Sequence, residues 1–163
     1  MKSSVVDEFD GFTTYCATSD SSREIQRTLT DRKLTVYLMN ALNVVDKATF
    51  LRTLGDALTS PEVAPSEYWR SWDGAADDAW QCLLDQPQPQ AAILIEHADA
   101  LVHRDLSLFV QIVEFLAGLA RSLLRAKEVG GDRRVLLRVV FFGDGPNFRS
   151  QQKPGESTSD SSC

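Results

Sequence analysis

Ala91-Ala-Ile-Leu-Ile95, closed by Glu96 and His97, is a continuous apolar run with no polar alternation. Such a run suits a strand buried on both faces, the environment of a parallel sheet covered by helices. Carboxy-terminal to it, Ala98, Ala100, Leu101 and Val102 read as a brief connection. Phe109, Ile112, Val113, Leu116, Leu119, Ala120 and Leu123 then recur with a helical period and predict one long helix over 106–124. Val135-Leu-Leu-Arg-Val-Val-Phe-Phe142 is β-branched and aromatic and is bounded by Gly130-Gly131 and by Gly143 and Gly145, which predicts another strand.

Amino-terminal to the opening run, the Gln-Pro-Gln-Pro stretch at 86–89 ends a helix expected over Gly74–Leu84, and Pro61 and Pro65 exclude regular structure before it. Further back, Asp46 is placed to cap a helix carrying Phe50, Leu51, Leu54 and Leu58 on one stripe. Leu34-Thr-Val-Tyr-Leu-Met39 reads as the first strand. Strands separated by helices require crossover connections. The expectation is therefore an α/β domain over 34–145 with a small, mostly parallel three-stranded sheet packed with helices. Residues 1–33, where Ile25 and Leu29 hint at a short helix, are read as an appendage, and 146–163 as a disordered polar tail.

The chain has 163 residues, 43% of them hydrophobic, enough for one core. Its formal net charge of −6 repels phosphate backbones and anionic headgroups, so neither nucleic acid nor a membrane is expected as a direct partner. No run reaches the length of about 20 apolar residues that a membrane span needs. Cys16, Cys82 and Cys163 show no metal-ligand or disulfide spacing, which fits free thiols in a cytoplasmic setting. No glycine cluster joins a strand to a helix in the manner of a phosphate-binding loop, and no nucleophile elbow is present. No cofactor, metal or catalytic residue is expected. The nearest alternative is a small enzyme using Glu96 and His97, which fall where open α/β sheets place ligands.

Charge is more informative. Between Ser60 and Ala100 the carboxylates are Glu62, Glu67, Asp73, Asp77, Asp78, Asp85, Glu96 and Asp99, opposed by Arg70 alone. Arg121, Arg125, Lys127, Arg133, Arg134 and Arg138 make a later, basic region. At about 100° per residue, Ala76, Ala79, Trp80, Leu83 and Leu84 share an inward arc of the helix, and Asp77, Asp78, Gln81 and Asp85 the outward one. With Tyr68, Trp69 and Trp72 just upstream, these carboxylates suit a cationic protein partner. The same residues also admit purely structural roles: Asp73 as a helix cap, Asp77 in the favourable field of the helix amino terminus, the aromatics as cover for the core.

The order of parts from about Leu34 to Gly145 resembles the barstar family of ribonuclease inhibitors. The resemblance is carried by Asp46-Lys-Ala-Thr-Phe-Leu51, the aromatic and acidic helix, Ala92-Ile-Leu-Ile-Glu-His-Ala-Asp-Ala100 and Val139-Val-Phe-Phe-Gly-Asp144. The family's acidic motif, an aromatic pair, Gly-x-Asn and two Asp four residues apart before Cys-Leu, fits in two imperfect registers, the first with Ser71 for its Asn and no Gly, the second one residue short. Tyr68-Trp69-Arg70-Ser71-Trp72-Asp73 through Asp77 keeps the aromatics and carboxylates four residues apart; Gly74 through Cys82-Leu83 instead makes Asp78 central. A further acidic position late in the long helix falls near Gly118. The resemblance implies a non-enzymatic immunity or antitoxin protein that occludes the basic active site of a ribonuclease-type toxin, with Tyr68, Trp69, Trp72, Asp73, Asp77 and Asp78 as contacts. A barstar-like fold serving another basic protein is the alternative form.

Overall fold

The computed structural model describes residues 14–59 and 71–148. Along the chain come β1 (Thr14–Thr18), α1 (Ser22–Asp31), β2 (Thr35–Asn40), α2 (Lys47–Leu58), α3 (Trp72–Asp85), β3 (Gln90–Glu96), α4 (Ala98–Arg104), α5 (Leu106–Leu124) and β4 (Leu136–Gly143). Among the described residues the sheet has four strands, all parallel, in the order β1-β4-β3-β2. The α/β class and the parallel sheet are as expected, but the strand count is not.

The extra strand comes from the segment read as an appendage. Thr14-Tyr-Cys-Ala-Thr18 pairs with Val139–Gly143, so β4 becomes an inner strand. As an inner strand it is covered on both faces, Val139 and Phe141 entering one core cluster and Val140 and Phe142 the other. Two further expectations are corrected. The connection after β3 is the helix α4, which buries Ala98 and Leu101. Residues Pro146–Phe148 form a 3-10 turn with Phe148 buried, so the chain stays packed on the domain past 145. The rest of the predicted tail lies outside the described residues.

Topology follows from handedness. Right-handed crossovers that step from β2 to β3 and from β3 to β4 place their helices on one face of the sheet; β1 to β2 runs the opposite way across it and places α1 on the other. The core divides accordingly. Met39, Ala91, Ile93, Ile95, Leu137, Val139 and Phe141 meet α2, α3, α4 and α5. Ala17, Ala92, Leu94, Val140 and Phe142 meet Ile25 and Leu29 of α1. Alternate residues of β3 and β4 thus enter different clusters, which is why neither strand shows a period of two.

Local chemistry sets the helix ends. Asp46 Oδ1 accepts from the Thr49 amide at 2.8 Å while Thr49 Oγ1 accepts from the Asp46 amide at 3.0 Å, a reciprocal cap for α2. Asp105 caps α5 by accepting from the Leu108 amide at 3.0 Å. By length and a mean hydropathy of 1.5, α5 is apolar enough to cross a membrane. In the fold, however, its Leu108, Ile112, Leu116, Leu119, Ala120 and Leu123 are buried in the core beside the sheet.

Candidate functional site

α3 carries the described part of the acidic stretch. Its amino-terminal cap is Ser71, whose Oγ accepts from the Gly74 amide at 3.1 Å, so the capping role considered for Asp73 is filled two residues earlier. Asp73 lies exposed in the first turn. The buried line of the helix is Ala75, Ala79 and Leu83, each fully inaccessible. Trp80, expected on the buried arc, is only half-buried at its margin. The expected arc is displaced because alanine packs a helix closer than an indole can, so the small residues set the contact line.

Opposite that line, Asp77 is exposed. Asp78 is half-buried, near enough to Cys82 to help raise its thiol pKa, though burial is the larger cause. Asp85, also exposed, accepts a hydrogen bond from Gln81 Nε2 at 2.8 Å. Asp73 and Asp77 therefore remain one helical turn apart on a helix whose inner face is held by the core. Tyr68 and Trp69 lie outside the described residues.

Trp72 is half-buried, with its ring 5.8 Å from that of Phe50 and 5.1 Å from that of Phe115. Phe50 meets Phe115 edge-on at 6.0 Å, so three aromatics from α2, α3 and α5 form one cluster. Lys47 Nζ lies 5.9 Å from the indole centroid, within reach of a cation–π attraction.

The carboxyl end of α3 is held by an arginine read from sequence as part of an opposed basic patch. Arg133 donates from Nη2 and Nε to the Leu84 carbonyl at 2.6 and 3.1 Å. Its Nη1 reaches the Pro87 and Gln88 carbonyls at 3.3 and 3.4 Å. Arg138 is buried in the sheet and donates to Gln90 Oε1 at 3.4 Å. Both guanidinium groups are engaged inside the fold and subtract from the basic surface that the composition suggested. Gln86, buried beside them, accepts from Thr35 Oγ1 at 2.7 Å and from the Gln88 amide at 2.8 Å, while its amide nitrogen donates to the Gln88 carbonyl. The α3–β3 connection is thereby fixed to the start of β2.

Between α3 and α5 runs a groove of about 470 Å³, lined by Ala76, Asp77 and Trp80 on one side and by Glu114, Phe115, Gly118, Leu119 and Ser122 on the other. Sequence reading missed Glu114. Its signal was present in the interruption of an apolar helix by Glu114, Gly118 and Ser122 at successive intervals of four, which forms one stripe. Gly118, near which the resemblance places a further carboxylate, lines this groove together with Asp77.

Of the alternative pair at the strand end, Glu96 has a partner within the fold and His97 faces outward. Glu96 Oε1 accepts from the buried Ser22 hydroxyl at 3.0 Å. His97 is exposed at the joint before α4 with a left-handed backbone, φ 59°. Among the described residues, no group of three or more His, Cys, Asp or Glu side chains is placed to hold a metal ion.

Fold and site together define a parallel α/β protein with a rigidly presented acidic helix face. No family model matches the chain, and no curated protein matches it. Among solved structures it is similar to one described as "Structure of Drosophila ORC bound to AT-rich DNA and Cdc6", at 14% identity and a TM-score of 0.44. The similarity covers 82% of this chain and 40% of that one. The chain thus spans less than half the length of that neighbour, and a likeness at this level carries no functional inference.

Proposed function

We propose that this chain is a non-enzymatic interaction protein whose α3 docks on a basic protein, and that, in the form its barstar resemblance implies, the partner is a ribonuclease-type toxin whose cationic active site is occluded. One observation carries the reading. Asp73 and Asp77 are exposed one turn apart on a helix whose opposite line, Ala75, Ala79 and Leu83, is fully buried, so the carboxylates are held in place before a partner arrives. Fixed charges of this kind steer association and lose little freedom on binding.

The test is stoichiometric mixing with purified basic ribonuclease toxins, the product of any adjacent toxin gene first, followed by the double variant Asp73→Lys/Asp77→Lys. Inhibition that weakens with salt and is lost in the folded double variant supports the proposal. Failure to bind or inhibit any such domain removes it.

A second reading, a small-molecule site at the carboxyl ends of the strands, is favoured by one feature of the topology. The chain leaves β1 toward one face and β3 toward the other, with β4 between them, and open α/β sheets bind ligands in such a crevice. Against it, β1 joins α1 through the turn Ser19–Ser21 without a glycine, so no loop of backbone amides is shaped to wrap a phosphate. Native mass spectrometry of the purified chain decides: a retained metabolite lost on Glu96→Ala supports this reading, and a bare mass together with no thermal shift from a nucleotide panel removes it.

A further inference from the structure

We infer that the α3–α5 groove is a docking channel for a basic amphipathic helix, a step that rests on the reading of α3 as a surface for basic proteins and specifies how such a partner is held. Ala76, Phe115 and Leu119 give the groove an apolar lining, and Trp80 adds a half-buried indole. Among the described residues, its charged lining groups, Asp77 from α3 and Glu114 from α5, are both acidic. Arg121, next to Ser122 at the carboxyl end of the groove, and Arg125, which follows α5, are not among its lining residues. An occupant must therefore present apolar groups inward and cations toward both helices.

A volume of about 470 Å³ is within the usual range for binding clefts and exceeds the needs of a single side chain. It suits several apolar side chains spaced i, i+3, i+4 along one helix face, flanked by lysine or arginine. An extended peptide fits less well. The walls are α-helices, whose backbone groups are satisfied internally, so they offer no strand edge for main-chain pairing. Nucleic acid is repelled by the same carboxylates.

Gly118 supplies a clean perturbation. A Cβ built there meets nothing within 4 Å outside its own helix backbone, so a larger side chain starts into open space on the groove side. Replacing glycine inside a helix also favours the folded state intrinsically.

The experiment is a heteronuclear NMR titration of the full chain with a synthetic leucine/lysine amphipathic helical peptide and, as its control, the leucine/glutamate counterpart. The lysine peptide is expected to shift the Gly118 amide and the Trp80 indole N–H, and the glutamate peptide is not. Gly118→Leu is expected to weaken binding by about tenfold or more with its melting temperature unreduced. Shifts centred elsewhere, no shifts at all, or equal affinity for Gly118→Leu each overturn the inference. Should that variant fold poorly, the wild-type map decides alone. If Asp73→Lys/Asp77→Lys abolishes binding of a basic protein while Gly118→Leu leaves it intact, the groove fails and the acidic-face reading stands.

Discussion

Removing the Arg133 side chain should cost this protein more than any surface arginine ordinarily does, through a mechanism confined to the end of α3. The Leu84 carbonyl is among the last four of that helix, which have no partner within it. Arg133 supplies the partner with two donors at 2.6 and 3.1 Å, and its third nitrogen reaches two carbonyls of the following connection at 3.3 and 3.4 Å. A hydrogen bond to a charged group contributes about 1.5–3 kcal/mol. The two short bonds share one acceptor and the two long ones are weak, so simple addition overstates them. Arg133→Ala is therefore expected to destabilise by about 2–3 kcal/mol, or roughly 5–10 °C in melting temperature for a chain of this size. Arg133→Lys keeps the charge but lacks the planar fork, and should recover about half of the loss. Chemical denaturation with matched m-values is the assay. A loss below about 0.5 kcal/mol for the alanine variant, the range of an ordinary surface change, or full recovery with lysine would refute the reasoning.

Three further outcomes are expected. Trp72→Ala should lower stability by about 2–4 kcal/mol, somewhat less than the loss of a fully buried indole, because its ring packs against both Phe50 and Phe115; an unchanged denaturation midpoint would show that this cluster adds nothing to stability. The Thr49 backbone amide, then the Thr49 hydroxyl, holds the Asp46 carboxyl below its ordinary 3.8; its contribution is present above that value and is lost as pH falls through the lower folded one. Wild type should thus lose stability relative to Asp46→Asn on acidification through this window, because asparagine caps without titrating, and parallel stability curves would contradict the assignment. Burial, followed by Asp78 and Asp85, pushes the Cys82 thiol up. Alkylation at mildly alkaline pH should be slower in the folded protein than in denaturant, and Asp78→Asn should restore less of the rate than unfolding does; equal rates in folded and unfolded protein would show the thiol to be accessible and unperturbed.

Elements that bury residues on two faces were legible from sequence. Ala91–Ile95 and Val135–Phe142 announced themselves because helices cover both sides of the inner strands, and Asp46 marked the start of α2 because its cap is made from adjacent residues. The edge strand Thr14–Thr18 was not legible. Its pairing partner is more than a hundred residues away, and TYCAT has neither an apolar run nor an alternation that signals a strand. The helix α4 was missed for a related reason: with seven residues it buries only Ala98 and Leu101, too few positions to display a period.

The candidate site divides along the same line between local and distant information. Exposure of Asp77 follows from the wheel of one helix, which also placed outward an Asp78 that the fold half-buries, whereas the groove depends on how α5 meets α3, and a wheel carries no information about a neighbour. Small residues act in opposite senses at that meeting. Ala75 and Ala79 are fully buried and let α3 settle close to the core, which leaves the larger Trp80 at the margin. On α5, Gly118 presents no side chain to the space between the helices, and nothing lies within 4 Å of where its Cβ would be. Close packing along one line of α3 and a missing side chain facing its next line together produce a channel with Asp77 and Glu114 on its two sides. The acidic helix is therefore one side of a groove whose other side, from α5, combines a carboxylate, Glu114, with the gap left by Gly118.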